Sequence, residues 1–256
     1  MSRFDDYRDR YSCIRMERRD GILQLTFHSD GGSLRWGTGP HGELPDAFAE
    51  IGRDRDNRVV IMTGTGDEFS GVRATPETTS LPYRLPAEAF DRIHWEGRAL
   101  LMNLLNIEVP VIAALNGPAW RHSEIPLLSD IVLASETAAF QDSAHFPSDL
   151  VPGDGMHIVY PLLLGMNRGR YFLLTGQTIE AQEAKALGLV AEVLPKDKVL
   201  PRAWELAEEL TRKPTLLLRY TRLMFTEYLR RQMHDMLGYG LAMEGLALME
   251  KPERPA

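Results

Sequence analysis

Gln141-Asp142-Ser143-Ala144-His145-Phe146-Pro147 follows an apolar run of strand length, and Val151-Pro152-Gly153-Asp154-Gly155 comes next, just before a helix-forming stretch. An aspartate that accepts from one nitrogen of an imidazole fixes its tautomer and raises the basicity of the other, which can then take a proton from water. His145 and Asp154, meeting across this loop, would make such a pair. The same residues support a plainer reading, in which Asp154 caps a helix beginning at Gly155 and His145 is an ordinary loop histidine. A second candidate, His122, lies in the segment 116–126 between a strand and the next apolar run, where α/β folds place ligands at strand ends. Its alternative is a solvated residue near a short helix, with Glu124 a surface or helix-start charge.

Trp36 and His41 belong to an early glycine-rich loop. An indole N–H donates and cannot accept, which suits it to holding a carbonyl oxygen in an apolar pocket. Ordinary packing for Trp36 and exposure for His41 are the alternatives. Glu244 lies seven residues after Leu237 and four before Leu248, so helical spacing puts its carboxylate on an apolar stripe. Buried there it needs a partner, and desolvation would raise its pKa. It is then a proton carrier, a partner for a histidine, or a structural or intersubunit carboxylate. His28, His94, His157 and His234 are assigned no chemistry. No Gly-x-Ser-x-Gly elbow occurs and the single cysteine, Cys13, lies in an early strand, so a covalent acyl-enzyme has no evident nucleophile.

The scaffold that must hold these groups is outlined by the apolar pattern. Residues 13–17 and 21–27 read as strands joined by a turn at Arg18-Arg19-Asp20-Gly21. A helix is expected over 44–54 with Pro45 in its first turn, then a buried strand over 59–63. Gly64-Thr65-Gly66 is a plain turn, since a dinucleotide fingerprint needs three spaced glycines opening a helix. Residues 70–86 form a long loop of the kind used as a lid or binding segment, and a long amphipathic helix follows over 87–106. Short strands over 109–115, 131–134 and 138–141 complete the sheet. Helices are expected over 155–165, 167–175, 180–187, 199–213, 214–231 and 233–250, interrupted by a strand-like 190–194. In the last helix Met233, Leu237, Leu241 and Leu248 form one stripe while Met236, Tyr239, Met243 and Leu246 cover much of the rest. It must be buried in the subunit or against another chain.

The chain has 256 residues, 44% hydrophobic and 25% charged, which suffices for the core of one large domain. Its 29 lysines and arginines against 36 aspartates and glutamates leave a formal charge of −7. That argues against a nucleic-acid partner, which needs a cationic field; Arg230 and Arg231 beside Arg219 and Arg222 read as one solvated helix face. One cysteine precludes an internal disulfide, no Cys/His grouping has zinc spacing, and a reducing compartment is expected. The N-terminal stretch is charged and no apolar run nears the ~18 residues of a membrane span, so the expectation is a cytoplasmic protein without a membrane partner.

Asn116-Gly117-Pro118, the Asp130–Ala134 strand, Val151-Pro152-Gly153-Asp154-Gly155, Leu174-Thr175-Gly176-Gln177 and the stretch Ala181–Val190 together resemble the crotonase (enoyl-CoA hydratase/isomerase) superfamily over nearly the whole chain. The resemblance implies an α/β fold: a crotonase-like spiral of ββα units carrying the active site over residues 1–195, then a C-terminal helical trimerisation region over 196–256. It also implies a homotrimer or a dimer of trimers. CoA-processing members carry a glycine run and a glutamate after Asn-Gly, and a second glutamate in the loop before Pro-Gly. Here Arg121-His122-Ser123 replaces the glycines and His145 stands in the later loop.

These departures resemble the branch of 6-oxocamphor hydrolase and related β-diketone hydrolases, through Trp36-x4-His41, His122-Ser-Glu-Ile-Pro, His145-Phe-Pro-Ser, Val-Pro-Gly-Asp154-Gly and Glu244. By that likeness His41, His122, His145, Asp154 and Glu244 form the catalytic set, and Trp36 with His122 holds the substrate carbonyls. The implied reaction is a retro-Claisen cleavage of a cyclic diketone to a keto acid, with water activated by His145 and Asp154 and with no metal or organic cofactor. The rival expectations are an acyl-CoA hydratase, isomerase or thioesterase, and a catalytically silent trimeric homologue.

Overall fold

The computed structural model describes residues 2–75 and 83–253. A short helix α1 (Phe4–Tyr7) precedes the hairpin β1 (Ile14–Arg19) and β2 (Ile22–Phe27). Asp20 and Gly21 turn it with φ of 51° and 78°, the left-handed pair that a two-residue hairpin loop requires. Next come α2 (Thr38–Arg53), β3 (Val59–Gly64), α3 (Ala87–Leu105), β4 (Val111–Leu115), α4 (Glu124–Leu127), β5 (Ile131–Ser135) and β6 (Ala139–Phe140). The remainder is α5 (Met156–Leu164), α6 (Met166–Thr175), β7 (Ile179–Glu180), α7 (Ala181–Ala186), β8 (Glu192–Leu194), α8 (Lys196–Thr211) and α9 (Thr215–Ala247). The main sheet runs β1-β2-β3-β4-β5-β8, with every pairing after the hairpin parallel.

Parallel strands covered on both faces show no polar alternation, which is why β3 and β4 read as continuous apolar runs. Successive side chains nonetheless go to different cores. Val60, Met62, Val111 and Ala113 join the large core with α2, α3 and α9, whereas Val59, Ile61, Ile112 and Ala114 meet Val199, Ala203 and Ala207 of α8. The segment after residue 195 thus covers one whole sheet face through α8 and reaches the site through α9.

Four sequence expectations are corrected here. The helix expected from Leu44 starts at Thr38, so His41 is in its first turn and not in a loop; Pro40, not Pro45, is the proline of that turn. Gly and Pro depress local propensity over 37–40, and packing on α3 overrides it. The 138–141 strand does not extend the main sheet: Ala139 and Phe140 pair with β7 in a separate two-stranded ribbon. The helices expected over 214–231 and 233–250 are one 33-residue helix, α9. The shift of its apolar stripe marks a change of packing partner, not a break. Finally, Arg219 and Arg222 are not on a solvated face. Arg222, 1% exposed, donates to the carbonyls of Leu104 and Ile107 and to both oxygens of Asp130, a cation seated at the C-terminal end of α3.

The lid or binding loop expected over 70–86 lies partly outside the described residues. Among those described, no helix is long and apolar enough to cross a membrane.

Candidate active site

Loops at the ends of β4 and β6 bring most of the candidate residues together. After β4, the Asn116 side chain accepts from the Gly64 amide and donates to the carbonyls of Gly66 and Glu68, which pins the start of the loop to the end of β3. The loop then turns at His122, whose φ of 49° is left-handed, and enters α4. After β6 the chain passes through Asp142 and His145 to the loop before α5. Asp154 does not cap that helix: the N-cap is Gly155, with φ 113°, and no side chain caps it. Opposite, α9 lies against this loop because two glycines meet. A Cβ on Gly153 would stand 2.2 Å from the Gly240 carbonyl, and one on Gly240 2.5 Å from that of Gly153. That contact delivers Glu244, 5% exposed, to the site.

Three imidazoles result, each held at Nδ1 by its own carboxylate. His41 pairs with Glu96 at 2.8 Å, His122 with Glu124 at 2.8 Å and His145 with Asp142 at 2.7 Å. Asp154 stands among them, its Oδ2 3.3 Å from His122 Nδ1 and 3.3 Å from His145 Nε2. Glu244 Oε2 lies 4.0 Å from His145 Nε2. Asp154 Oδ1 and Glu244 Oε2 are buried with no hydrogen-bond partner. Trp36 lies over His122, ring centroids 3.9 Å apart at 33°. Trp36, His41, His122, His145, Asp154 and Glu244 line one cavity of about 450 Å³, completed by apolar side chains that include Val72, Ile93, Leu150 and Leu241. A more open groove of about 750 Å³, lined by Thr26, Thr63, Asn116 and Lys196 among others, contains no histidine.

The expected set is therefore gathered, with its internal wiring changed. The carboxylate that orients His145 is Asp142, and Asp154 occupies the other nitrogen, so neither nitrogen of His145 is a free base. Glu124 is not a surface charge: it is fully buried against His122. Asp142, Glu96 and Glu124 were missed as functional residues. Glu96, four residues before Leu100 and eight before Leu104, carried the same signal as Glu244, a carboxylate on an apolar helical face. His122, Glu124 and Asp154 also bring one potential metal-ligand atom each to within 4.8 Å of one another, a spacing that their hydrogen bonding accounts for.

Charge in this cluster is unequally shared. Burial opposes protonation of His145, but Asp142 and Asp154 outweigh it and hold its pKa well above 6.5. Burial is likewise overcome at His122 by Glu124 and Asp154, and its pKa is raised. At His41 burial prevails, helped by the charge of His122, and the pKa is lowered despite Glu96. Burial is also opposed at Asp154, where His145 and His122 keep the carboxyl below the usual range. Burial pushes Glu244 up to about 7, with the charge of Asp154 adding to it and His145 opposing. The raised pKa values of His122 and His145 favour their protonated, donating forms, and His41, its Nδ1–H given to Glu96, keeps Nε2 as an acceptor.

The family model for enoyl-CoA hydratase/isomerase matches residues 19–250. The chain belongs to the enoyl-CoA hydratase/isomerase (crotonase) family. Within that family it is similar to a β-diketone hydrolase from the cyanobacterium Anabaena sp. PCC 7120, solved bound to (S)-3-oxocyclohexyl acetic acid. That structure is 46% identical, with 96% of each chain covered and a TM-score of 0.88. An enoyl-CoA hydratase/isomerase structure from Mycobacterium paratuberculosis is 25% identical, covering 94% of this chain and 95% of its own, with a TM-score of 0.84. Among curated relatives, a probable enoyl-CoA hydratase of Mycobacterium tuberculosis is 29% identical over 208 residues, 78% of this chain and 72% of the relative. A putative enoyl-CoA hydratase/isomerase of Bacillus subtilis is 31% identical over 197 residues, 76% and 72% respectively. The crotonase fold of the chain is thus established, and its likeness to a β-diketone hydrolase extends over nearly all of its length.

Proposed function

We propose that this crotonase-family protein hydrolyses a carbon–carbon bond of a cyclic β-diketone, using water and giving a keto acid. The observation that carries the reading is the single cavity lined by three imidazoles and by the carboxylates of Asp154 and Glu244, with Asp154 within 3.3 Å of two of the rings. In the reaction a water is held between the carboxylates of Asp154 and Glu244, which line the same cavity. Asp154 and the charged His145 position that water. Glu244 takes its proton, because its pKa of about 7 matches neutral operating conditions. The oxygen adds to one carbonyl, the tetrahedral intermediate collapses, and the carbon–carbon bonding pair leaves as an enolate conjugated with the second carbonyl. His122 and the Trp36 N–H hold the carbonyl oxygens where negative charge develops, in place of backbone amides. The similarity to the Anabaena β-diketone hydrolase supports this substrate class.

The test is incubation with a panel of cyclic 1,3-diketones and mass spectrometry of the products. Gain of one water with ring opening is the expected result. The names of the curated relatives favour a second reading, acyl-CoA hydration or isomerisation, and turnover of crotonyl-CoA without diketone cleavage would establish it instead. We further propose that the exposed apolar side chains of α9, Leu217, Tyr220, Met224, Phe225 and Tyr228 among them, pack against other copies of the chain. Light scattering of the purified protein reads this as a trimer or hexamer.

A further inference from the structure

The retro-Claisen scheme leaves one proton unassigned: the carbon that departs as an enolate must be protonated before the keto acid is released. The cavity holds a group suited to this that the water-activating cluster does not use. His41 lines the cavity on α2, with its ring centroid 5.9 Å from that of His122 and 6.4 Å from that of Trp36, the two side chains proposed to hold the carbonyls. No carboxylate of the Asp142–Asp154–Glu244 cluster pairs with it among the described contacts. Its Nδ1 is taken by Glu96 at 2.8 Å, so Nε2 is the nitrogen left for a ligand. Glu96 is itself fixed from the other side by Arg92, whose Nε donates to its second oxygen at 2.7 Å. The exposed guanidinium, the buried carboxylate and the imidazole form a chain from solvent to the cavity wall.

We propose that His41, positioned by Glu96, carries the proton to the enolate carbon, an inference that rests on the diketone reading above. Water brings two protons. One passes to Glu244 as the oxygen attacks, and is released to solvent as the cycle closes. The other remains on the tetrahedral intermediate and becomes the acid O–H when the carbon–carbon bond breaks. His41 Nε2 accepts that proton, giving an imidazolium paired with Glu96 and leaving the product acid as a carboxylate. Nε2–H then gives it to the α-carbon, whose new C–H bond takes the electron pair of the enolate. The balance is diketone plus water to keto carboxylate plus one proton. The lowered pKa of His41 keeps Nε2 unprotonated until that acid forms. Because the imidazole approaches from one wall, the hydrogen is delivered to one face.

Deuterium labelling tests this. The probe is the bicyclic diketone that yields 3-oxocyclohexyl acetic acid on taking up water, turned over in D2O by the wild-type protein, by His41→Gln and by Glu96→Gln. The configuration of the new CHD centre is read by NMR, and folding by thermal melts. The wild type is expected to give one configuration. His41→Gln still opens the ring, at least ten-fold more slowly, and gives a mixture of both. Glu96→Gln, which keeps the imidazole and loses its anchor, gives a partial mixture. The choice of which carbonyl is attacked stays unchanged in both, which a general distortion of the site would not allow. A single, unchanged configuration in either folded variant overturns the role. So does a folded His41→Gln protein that no longer opens the ring, since His41 would then act before the bond breaks. If the wild type leaves the diketone intact, the diketone reading itself fails and this inference with it.

Discussion

Asp142 Oδ1 lies 2.7 Å from His145 Nδ1, three residues along the chain, and both side chains are buried. This pair fixes the ring so that Nε2 faces Asp154, and, against burial, the charge of Asp142, ahead of that of Asp154, raises the pKa of the imidazole. Asp142→Asn retains the shape and removes the charge. Turnover is expected to fall by about 10²-fold, within the range of positioned acid–base groups. The His145 titration followed by NMR should move to lower pH. An unchanged kcat would show that orientation of His145 is irrelevant to the reaction.

Glu244 makes the pH dependence specific. Its carboxyl titrates at about 7, so activity that needs it ionised rises with pH through about 7, and Glu244→Gln should remove that limb together with most of the turnover. Stability moves the other way. A carboxyl whose pKa is raised on folding binds its proton more tightly in the native state, so its contribution declines as pH climbs from the unfolded value of about 4.5 to about 7. The Gln variant should therefore gain in Tm relative to the wild type at pH 8 more than at pH 5. Equal shifts at both pH values would contradict burial of the charged form.

The Trp36 and His122 rings lie against each other, tilted, with centroids 3.9 Å apart. Loss of one charge-stabilising donor typically costs about 10²–10³ in kcat. His122→Ala should fall in that range and also leave Glu124 buried without its partner, so Tm is measured alongside. Trp36→Phe keeps the ring, loses the N–H, and should reduce turnover with little effect on stability.

Arg222 offers a purely structural test. Arg222 is buried while its partner Asp130 keeps contact with solvent, so removing the arginine should cost less than the about 3–5 kcal/mol of breaking a fully buried pair. Arg222→Met strands Asp130 and frees the carbonyls of Leu104 and Ile107. Denaturant midpoints should fall. A midpoint within experimental error of the wild type would mean that these contacts of Arg222 add nothing to stability.

Gly240→Ala separates helix propensity from packing. An exposed helical glycine gains about 1 kcal/mol on this change. Here the new Cβ would stand 2.2 Å from His157 Cε1 and 2.5 Å from the Gly153 carbonyl. The helix must move off the Asp154 loop and take Glu244 with it. Lower kcat with a lower Tm is expected, and a more stable, fully active variant would refute the contact.

The parts of this design that were legible in sequence are those with a period or a chemical type. The β1–β2 turn, the apolar runs of β3 and β4 and the burial of Glu244 all follow from side-chain spacing. The start of α2 was hidden because Gly39 and Pro40 look like a loop, and the contacts with α3 begin only at His41 and Gly42. The fates of Arg219 and Arg222 were hidden because an arginine on a helix reads as solvated unless the carbonyls it will cap are known. Pairings across the fold, such as His41 with Glu96, 55 positions apart, have no local signature. Even Asp142, three residues from His145, was overlooked because the loop that lets them meet is held through Ser143 by the distant Ala74 amide and Trp120 carbonyl.

His122 sits at φ 49°, a backbone shape that costs a side-chain-bearing residue roughly 1 kcal/mol and a glycine almost nothing. The sequence resemblance puts a glycine run at this point in the acyl-CoA enzymes. Glycine at this position would adopt the same turn without that cost but would carry no imidazole, so the residue that strains the loop is the one that lines the cavity.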